Sequence, residues 1–91
     1  MSAASTSQEN TFAIQAIMGG AVRYNRWIYS RLQPWLGQRI LDVGSGYGHI
    51  TAHFFERERE RIVSLDLEPQ YVEALRRRFA GHAVFEAHCM D

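Results

Sequence analysis

At 91 residues the chain is long enough for one small domain with a marginal core, and too short for two. Its ten basic residues, every one an arginine, balance ten acids, so no global field selects nucleic acid or an anionic membrane. A single cysteine, Cys89, excludes an internal disulfide and fits a reducing compartment. No apolar run approaches the roughly 20 residues of a membrane span, and the small, polar start does not read as a secretory signal. A cytoplasmic, soluble protein is expected.

Met1 to Asn10 has the composition of a frayed tail, and Thr11 to Met18 supplies one or two helical turns with Phe12, Ile14 and Ile17 on the apolar side. Gly19-Gly20 interrupts it, which sets residues 1–20 apart from the domain expected over 21–91. From Ala21 to Leu32, Tyr24, Ile28 and Leu32 recur every fourth residue and predict a helix face, widened by Trp27. Tyr24, Trp27 and Tyr29 are expected to be packing residues. Pro34 closes the helix.

Arg39 to Val43 reads as the first strand. It runs into Gly44-Ser45-Gly46-Tyr47-Gly48, three glycines at alternate positions, the mark of a tight loop that lets a ligand approach bare backbone. Ile50, Phe54 and Phe55 begin a helix, and Glu56 to Glu60 alternates charges and is expected to be solvated. Arg61 to Asp66 is the second strand. Pro69 fits the first turn of a helix whose inward stripe is Val72, Leu75 and Phe79, with Gly81 as its stop. Arg76-Arg77-Arg78 is expected on its solvated face. Ala83 to Ala87 is a third short strand. Strands alternating with helices across short connections predict a parallel, Rossmann-like sheet with flanking helices, here incomplete at about three strands and preceded by the N-terminal helix.

Two acids strengthen the glycine loop as a site. Asp66 ends the second strand 22 residues after Gly44 (66 − 44), where a carboxylate reaches a ribose in such folds. Asp91 follows the third strand on the same carboxyl edge. Each has a plainer role to set beside the functional one: Asp66 as a cap for the helix opening at Pro69, Asp91 as a frayed terminus. Asp42, two residues before the first glycine, would repel a diphosphate. His49 stands where a dinucleotide loop wants a small residue for close packing. A nicotinamide oxidoreductase half-domain is therefore the weaker reading. His49 and His53 share a helix face but lack a third metal ligand at matching spacing, so no metal is expected. Cys89 reads as a small buried hydrophobe rather than a nucleophile.

On these residues the chain resembles the class I S-adenosylmethionine-dependent methyltransferases. Leu41-Asp42-Val43-Gly44-Ser45-Gly46-Tyr47-Gly48 looks like that family's first motif, Val63-Ser64-Leu65-Asp66 like its second-strand acid, and Phe85 to Asp91 like the segment around its third strand. The helix containing Tyr24-Asn25-Arg26-Trp27 looks like the one many members place before the core. The resemblance implies a cofactor, S-adenosyl-L-methionine, and a cofactor site of Asp42, Gly44, Ser45, Gly46, Gly48, Asp66, Leu67 and Asp91. The glycines would let backbone approach the methionine and ribose parts. Asp42 would hold the loop and favour the cationic methionine end. Asp66 would bind the ribose hydroxyls, Leu67 would lie on the adenine face, and Asp91 would accept from the adenine amino group. Tyr24 or Arg26 is an alternative partner for the cofactor's carboxylate.

The family's sheet has seven strands in the order 3-2-1-4-5-7-6, and this sequence supplies three. The first strand is then an apolar edge, open to pairing or self-association. The chain is expected to be the N-terminal part of a methyltransferase domain, with the methyl acceptor and any catalytic base unassigned. The competing expectation is an inactive scaffold that associates through that edge.

Overall fold

A computed structural model describes residues 21–90. Helix α1 occupies residues 21–32 and ends in a 3-10 turn over Gln33–Trp35, where Pro34 cannot donate the next helical hydrogen bond. Strand β1 spans Arg39–Val43, the short helix α2 Thr51–Phe54, β2 Arg61–Asp66, α3 Pro69–Arg78, and β3 Phe85–Cys89. The three strands form one parallel sheet in the order β1-β2-β3. Its register places Ile40 beside Ile62, Asp42 beside Ser64, and Asp66 beside Cys89. The expected parallel sheet and its strand order are therefore present, with β1 at one edge.

Period-two alternation sorts the strand residues between two faces. One face carries Ile40, Ile62 and Ala87, all buried, and packs against the helices. Tyr29, Ile40, Phe54 and Ile62 make one core cluster; Val72, Leu75, Phe79 and Ala87 make the other. Phe55 and Phe85 border both, so the two clusters join under the sheet. The stripe expected on α3 is the buried one. Leu41 and Val43 lie on the opposite face and remain 64% and 60% exposed, so among the described residues no helix covers that side of β1.

Three expectations need correction. On α1 the buried residue is Tyr29, not the Tyr24–Ile28–Leu32 stripe; Tyr24, Trp27 and Leu32 are exposed. Tyr29 is chosen because its ring stacks on His53 and packs against Phe54. The third strand begins at Phe85 rather than Ala83. Hydrogen bonds from His82 N–H to Phe79 C=O and from Phe85 N–H to His82 C=O keep the chain turning until Phe85 reaches Ile62. Finally, the charged segment after α2 is not simply solvated. Arg59 donates to the carbonyls of Phe54 and Gly37, at 3.0 and 2.8 Å, and to the Tyr29 hydroxyl at 3.2 Å. Residues 1–20, and with them the apolar turns expected at Phe12, Ile14 and Ile17, lie outside the described residues.

Candidate cofactor site

β1 ends at Val43 because the next residue leaves the strand conformation: Gly44 has φ of 73°, Gly46 58° and Gly48 83°. These are the only positive φ values among the described residues. All three lie in the left-handed region, where a side chain is strained and glycine is free. The glycines thus share a conformation, but their surroundings differ. A Cβ on Gly44 or Gly46 would meet nothing within 4 Å. A Cβ on Gly48 would lie 2.8 Å from both Leu75 Cδ2 and Phe79 Cε2. The first two glycines therefore leave open space above the loop, while the third lets α3 close against it.

The loop is tied at both ends. Gly44 N–H donates to Leu65 C=O at 2.8 Å, and Gly48 N–H to Ser45 C=O at 3.0 Å. Ser45 Oγ donates back to the Asp42 carbonyl at 2.9 Å. Ser45 thus acts on the loop's own backbone.

Asp42 is half-buried on the helix-covered face of the sheet. Its Oδ2 accepts from Thr51 Oγ1 at 2.5 Å, with Ser64 Oγ farther off at 3.4 Å. Both hydroxyl residues are essentially fully buried. The acid that precedes the glycines thus clamps the start of α2 to the end of β1. Sequence reasoning missed Thr51 and Ser64; a hydroxyl nine residues after the acid (51 − 42) has no spacing rule to announce it.

Asp66, buried at 7% exposure, holds the other side. Its Oδ2 accepts the Gly46 N–H at 2.9 Å, and its Oδ1 accepts the Glu68 N–H at 3.0 Å. The second contact braces the turn into α3, whose N-cap is Glu68 and carries no side-chain cap. Asp66 is thus not the helix cap of the plainer reading; it fixes that turn and the middle glycine together. The amide donors of Glu68, Gly46 and Leu67 hold its carboxyl below the usual carboxylate range. An ionised carboxylate has about four acceptor positions, so about two remain beyond the hydrogen bonds from Gly46 and Glu68. Beside it Leu67 is exposed, an apolar surface at the carboxyl edge. Met90 N–H donates to the Asp66 carbonyl at 2.8 Å, bringing the chain after β3 to the same edge. Asp91 itself lies outside the described residues.

His49 is exposed, and the close packing falls at Gly48, so His49 does not obstruct the loop. The case against a dinucleotide then rests on Asp42 alone. His53 stacks on Tyr29 and pairs with Glu56, and among the described residues no group of three His, Cys, Asp or Glu is placed to hold a metal ion. Nor is any helix among them long and apolar enough to cross a membrane.

A glycine loop after the first parallel strand, tied to an acid at the end of the second, is the arrangement of a partial Rossmann-like fold. The family described as "Methyltransferase domain" matches residues 40–91, and the chain belongs to it. Solved structures agree on the fold. A putative sarcosine dimethylglycine methyltransferase from Galdieria sulphuraria superposes with a TM-score of 0.68 at 22% identity, over 82% of this chain and 31% of its own. The trans-methyltransferase CalH, in complex with SAH, gives 0.53 at 30% identity, over 60% and 18%. Phosphoethanolamine N-methyltransferase 1 from Haemonchus contortus, in complex with phosphoethanolamine and S-adenosylhomocysteine, gives 0.54 at 22% identity, over 60% and 12%. The chain therefore spans less than a third of each of these proteins. No curated protein matches the sequence.

Proposed function

We propose that this chain forms the cofactor-binding part of an S-adenosyl-L-methionine-dependent methyltransferase. The observation that carries the reading is the Gly46–Asp66 contact. It places an ionised, partly satisfied carboxylate beside backbone with open space above Gly44 and Gly46. A ligand with a vicinal diol and a flat heterocycle fits those features: Asp66 accepts from the ribose hydroxyls, and Leu67 lies against the ring. The crystallised SAH complexes among the structural neighbours support the same ligand class.

When bound, the cofactor supplies a methyl group activated by a sulfonium. The contributions of this chain are binding and orientation. Gly44 and Gly46 keep side chains out of the ligand's space, and Asp66 fixes the loop and the ribose together. Asp42 contributes mainly by holding Thr51, and its negative charge suits a cationic ligand better than a diphosphate. In-line displacement gains most from such positioning. Cys89 is exposed rather than buried as expected, and a cytoplasmic setting would keep its thiol reduced. The exposed Leu41 and Val43 support association through the β1 edge, whether with more of the sheet or with a second copy.

Calorimetric titration of the folded chain with S-adenosylhomocysteine tests the reading, with NADH as the competing ligand. Saturable binding of S-adenosylhomocysteine is expected. Tighter binding of NADH would transfer the site to the oxidoreductase reading.

A further inference from the structure

The arginine run at the end of α3 is exposed, as expected, but two of its members also reach backbone carbonyls. Arg76 donates through Nε and Nη2 to the Ala87 carbonyl, at 3.0 and 2.8 Å, and so packs the helix against β3. Arg78 reaches elsewhere: its Nη1 donates to the Tyr47 carbonyl at 2.8 Å, in the middle of the glycine loop. One residue of that loop is thus gripped by its backbone. Its side chain is gripped as well, because the Tyr47 ring meets the Tyr71 ring edge-on, with centroids 4.6 Å apart and planes at 76°. The next loop residue, Gly48, sits against Leu75 and Phe79.

Tyr71, Leu75 and Arg78 are spaced by four and three residues, so they form one stripe along α3. The stripe meets the loop at Tyr47 and Gly48, next to the Asp66 contact at Gly46, and two unlike interactions, a carbonyl hydrogen bond and an aromatic edge contact, converge on Tyr47. Neither partner is needed to bury the core: Arg78 is exposed, and the buried residues of α3 are Val72 and Leu75.

We propose that Tyr71 and Arg78 are positioning residues for the cofactor loop, holding Tyr47 so that the backbone of Gly44 to Gly48 keeps the shape that admits ligand. The proposal rests on the cofactor reading above for its consequence in binding, but the loop's order is measurable without any ligand. An edge-to-face aromatic pair and a single hydrogen bond are each of modest strength. Loss of either is expected to weaken binding about two- to tenfold, with the double variant showing the combined loss.

The test is amide hydrogen exchange on the folded chain, wild type against Arg78→Met, Tyr71→Ala and the conservative pair Arg78→Lys and Tyr71→Phe. Gly46 and Gly48 N–H are both hydrogen-bonded in the loop, and Ile62 N–H, bonded to Val84 C=O, reports the core. Faster exchange at Gly46 and Gly48 with Ile62 unchanged is expected for Arg78→Met and Tyr71→Ala, and near wild-type exchange for Tyr71→Phe. Arg78→Met alters an exposed side chain and keeps the comparison available if Tyr71→Ala unfolds. Unchanged loop exchange in Arg78→Met would overturn the proposal. The affinity for S-adenosylhomocysteine, measured on the same samples, separates the two claims. Loosened loop amides in a chain that never binds would defeat the cofactor reading and leave the positioning role standing.

Discussion

Replacing Gly48 with alanine should destabilise this fold more than the same change at Gly46, although both glycines hold left-handed backbone. At Gly46, with φ of 58° and nothing within 4 Å of a new Cβ, only the conformational strain applies, about 1–2 kcal/mol. At Gly48 the φ of 83° carries the same strain, and the new methyl lies 2.8 Å from Leu75 Cδ2 and Phe79 Cε2. Those side chains are buried, at 0% and 6% exposure, so they cannot swing into solvent to make room. Overpacking of this kind adds about 1–3 kcal/mol. The total at Gly48 is then about 2–5 kcal/mol, a large part of the 5–15 kcal/mol that holds a typical domain together. Urea unfolding followed by circular dichroism measures both variants, and a gap of 1 kcal/mol corresponds to roughly 4–8 °C in Tm for a domain of this size. Binding should show the reverse order, because a Cβ at Gly46 enters the space proposed for the ligand. Equal losses of stability at the two positions would refute the division of the loop into an open part and a packed part.

Other changes test the remaining contacts. Thr51→Val removes the hydroxyl that Asp42 accepts and should cost about 1–3 kcal/mol in urea unfolding, with Thr51→Ser recovering most of it; a silent Thr51→Val would detach Asp42 from α2. Asp66→Ala should lower the affinity for S-adenosylhomocysteine about tenfold or more by calorimetry, and wild-type affinity in that variant would remove Asp66 from the site. Acid sensitivity follows from the same residue. Because the folded chain holds the Asp66 carboxyl below its unfolded value, ionisation stabilises the fold above the ordinary Asp range near about 4. That stability drains as pH falls through the lower, folded value. Glu86, held down by His88 and by Arg61, adds in the same direction. Unfolding curves collected across the acid range should therefore fall less steeply for Asp66→Asn than for wild type, and parallel curves would contradict the assignment.

Local pattern made much of this fold legible, and long-range pairing accounts for what it missed. β1 and β2 were readable because short apolar runs end at marked residues, Gly44 after the first and Pro69 soon after the second. The α3 stripe was readable because Val72, Leu75 and Phe79 recur at helical spacing and all three are buried. β3 starts two residues late because its start is set by pairing with Ile62, a residue 23 positions earlier (85 − 62). The α1 face was misjudged for the same reason: Tyr29 is selected by His53, Phe54 and Arg59, none of them near it in sequence. In the site, the glycines and Asp66 follow a spacing rule. The division of labour among the glycines does not, since only the placement of Leu75 and Phe79 separates Gly48 from Gly44 and Gly46. Arginines are the least legible of all. Arg59, Arg76 and Arg78 each find backbone carbonyls that no local pattern predicts.

The glycine loop and Asp66 place a nucleoside ligand at the carboxyl edge of the sheet in the proposed function. Titrating isotopically labelled chain with S-adenosylhomocysteine, while following the backbone amides by nuclear magnetic resonance, tests it most directly. Saturable shifts centred on Gly44, Gly46 and Leu67, with the uncovered sheet face around Leu41 unmoved, are the predicted result. Shifts confined to other surfaces, or none in a chain that is folded, would contradict the assignment of the glycine loop and Asp66 as the cofactor site.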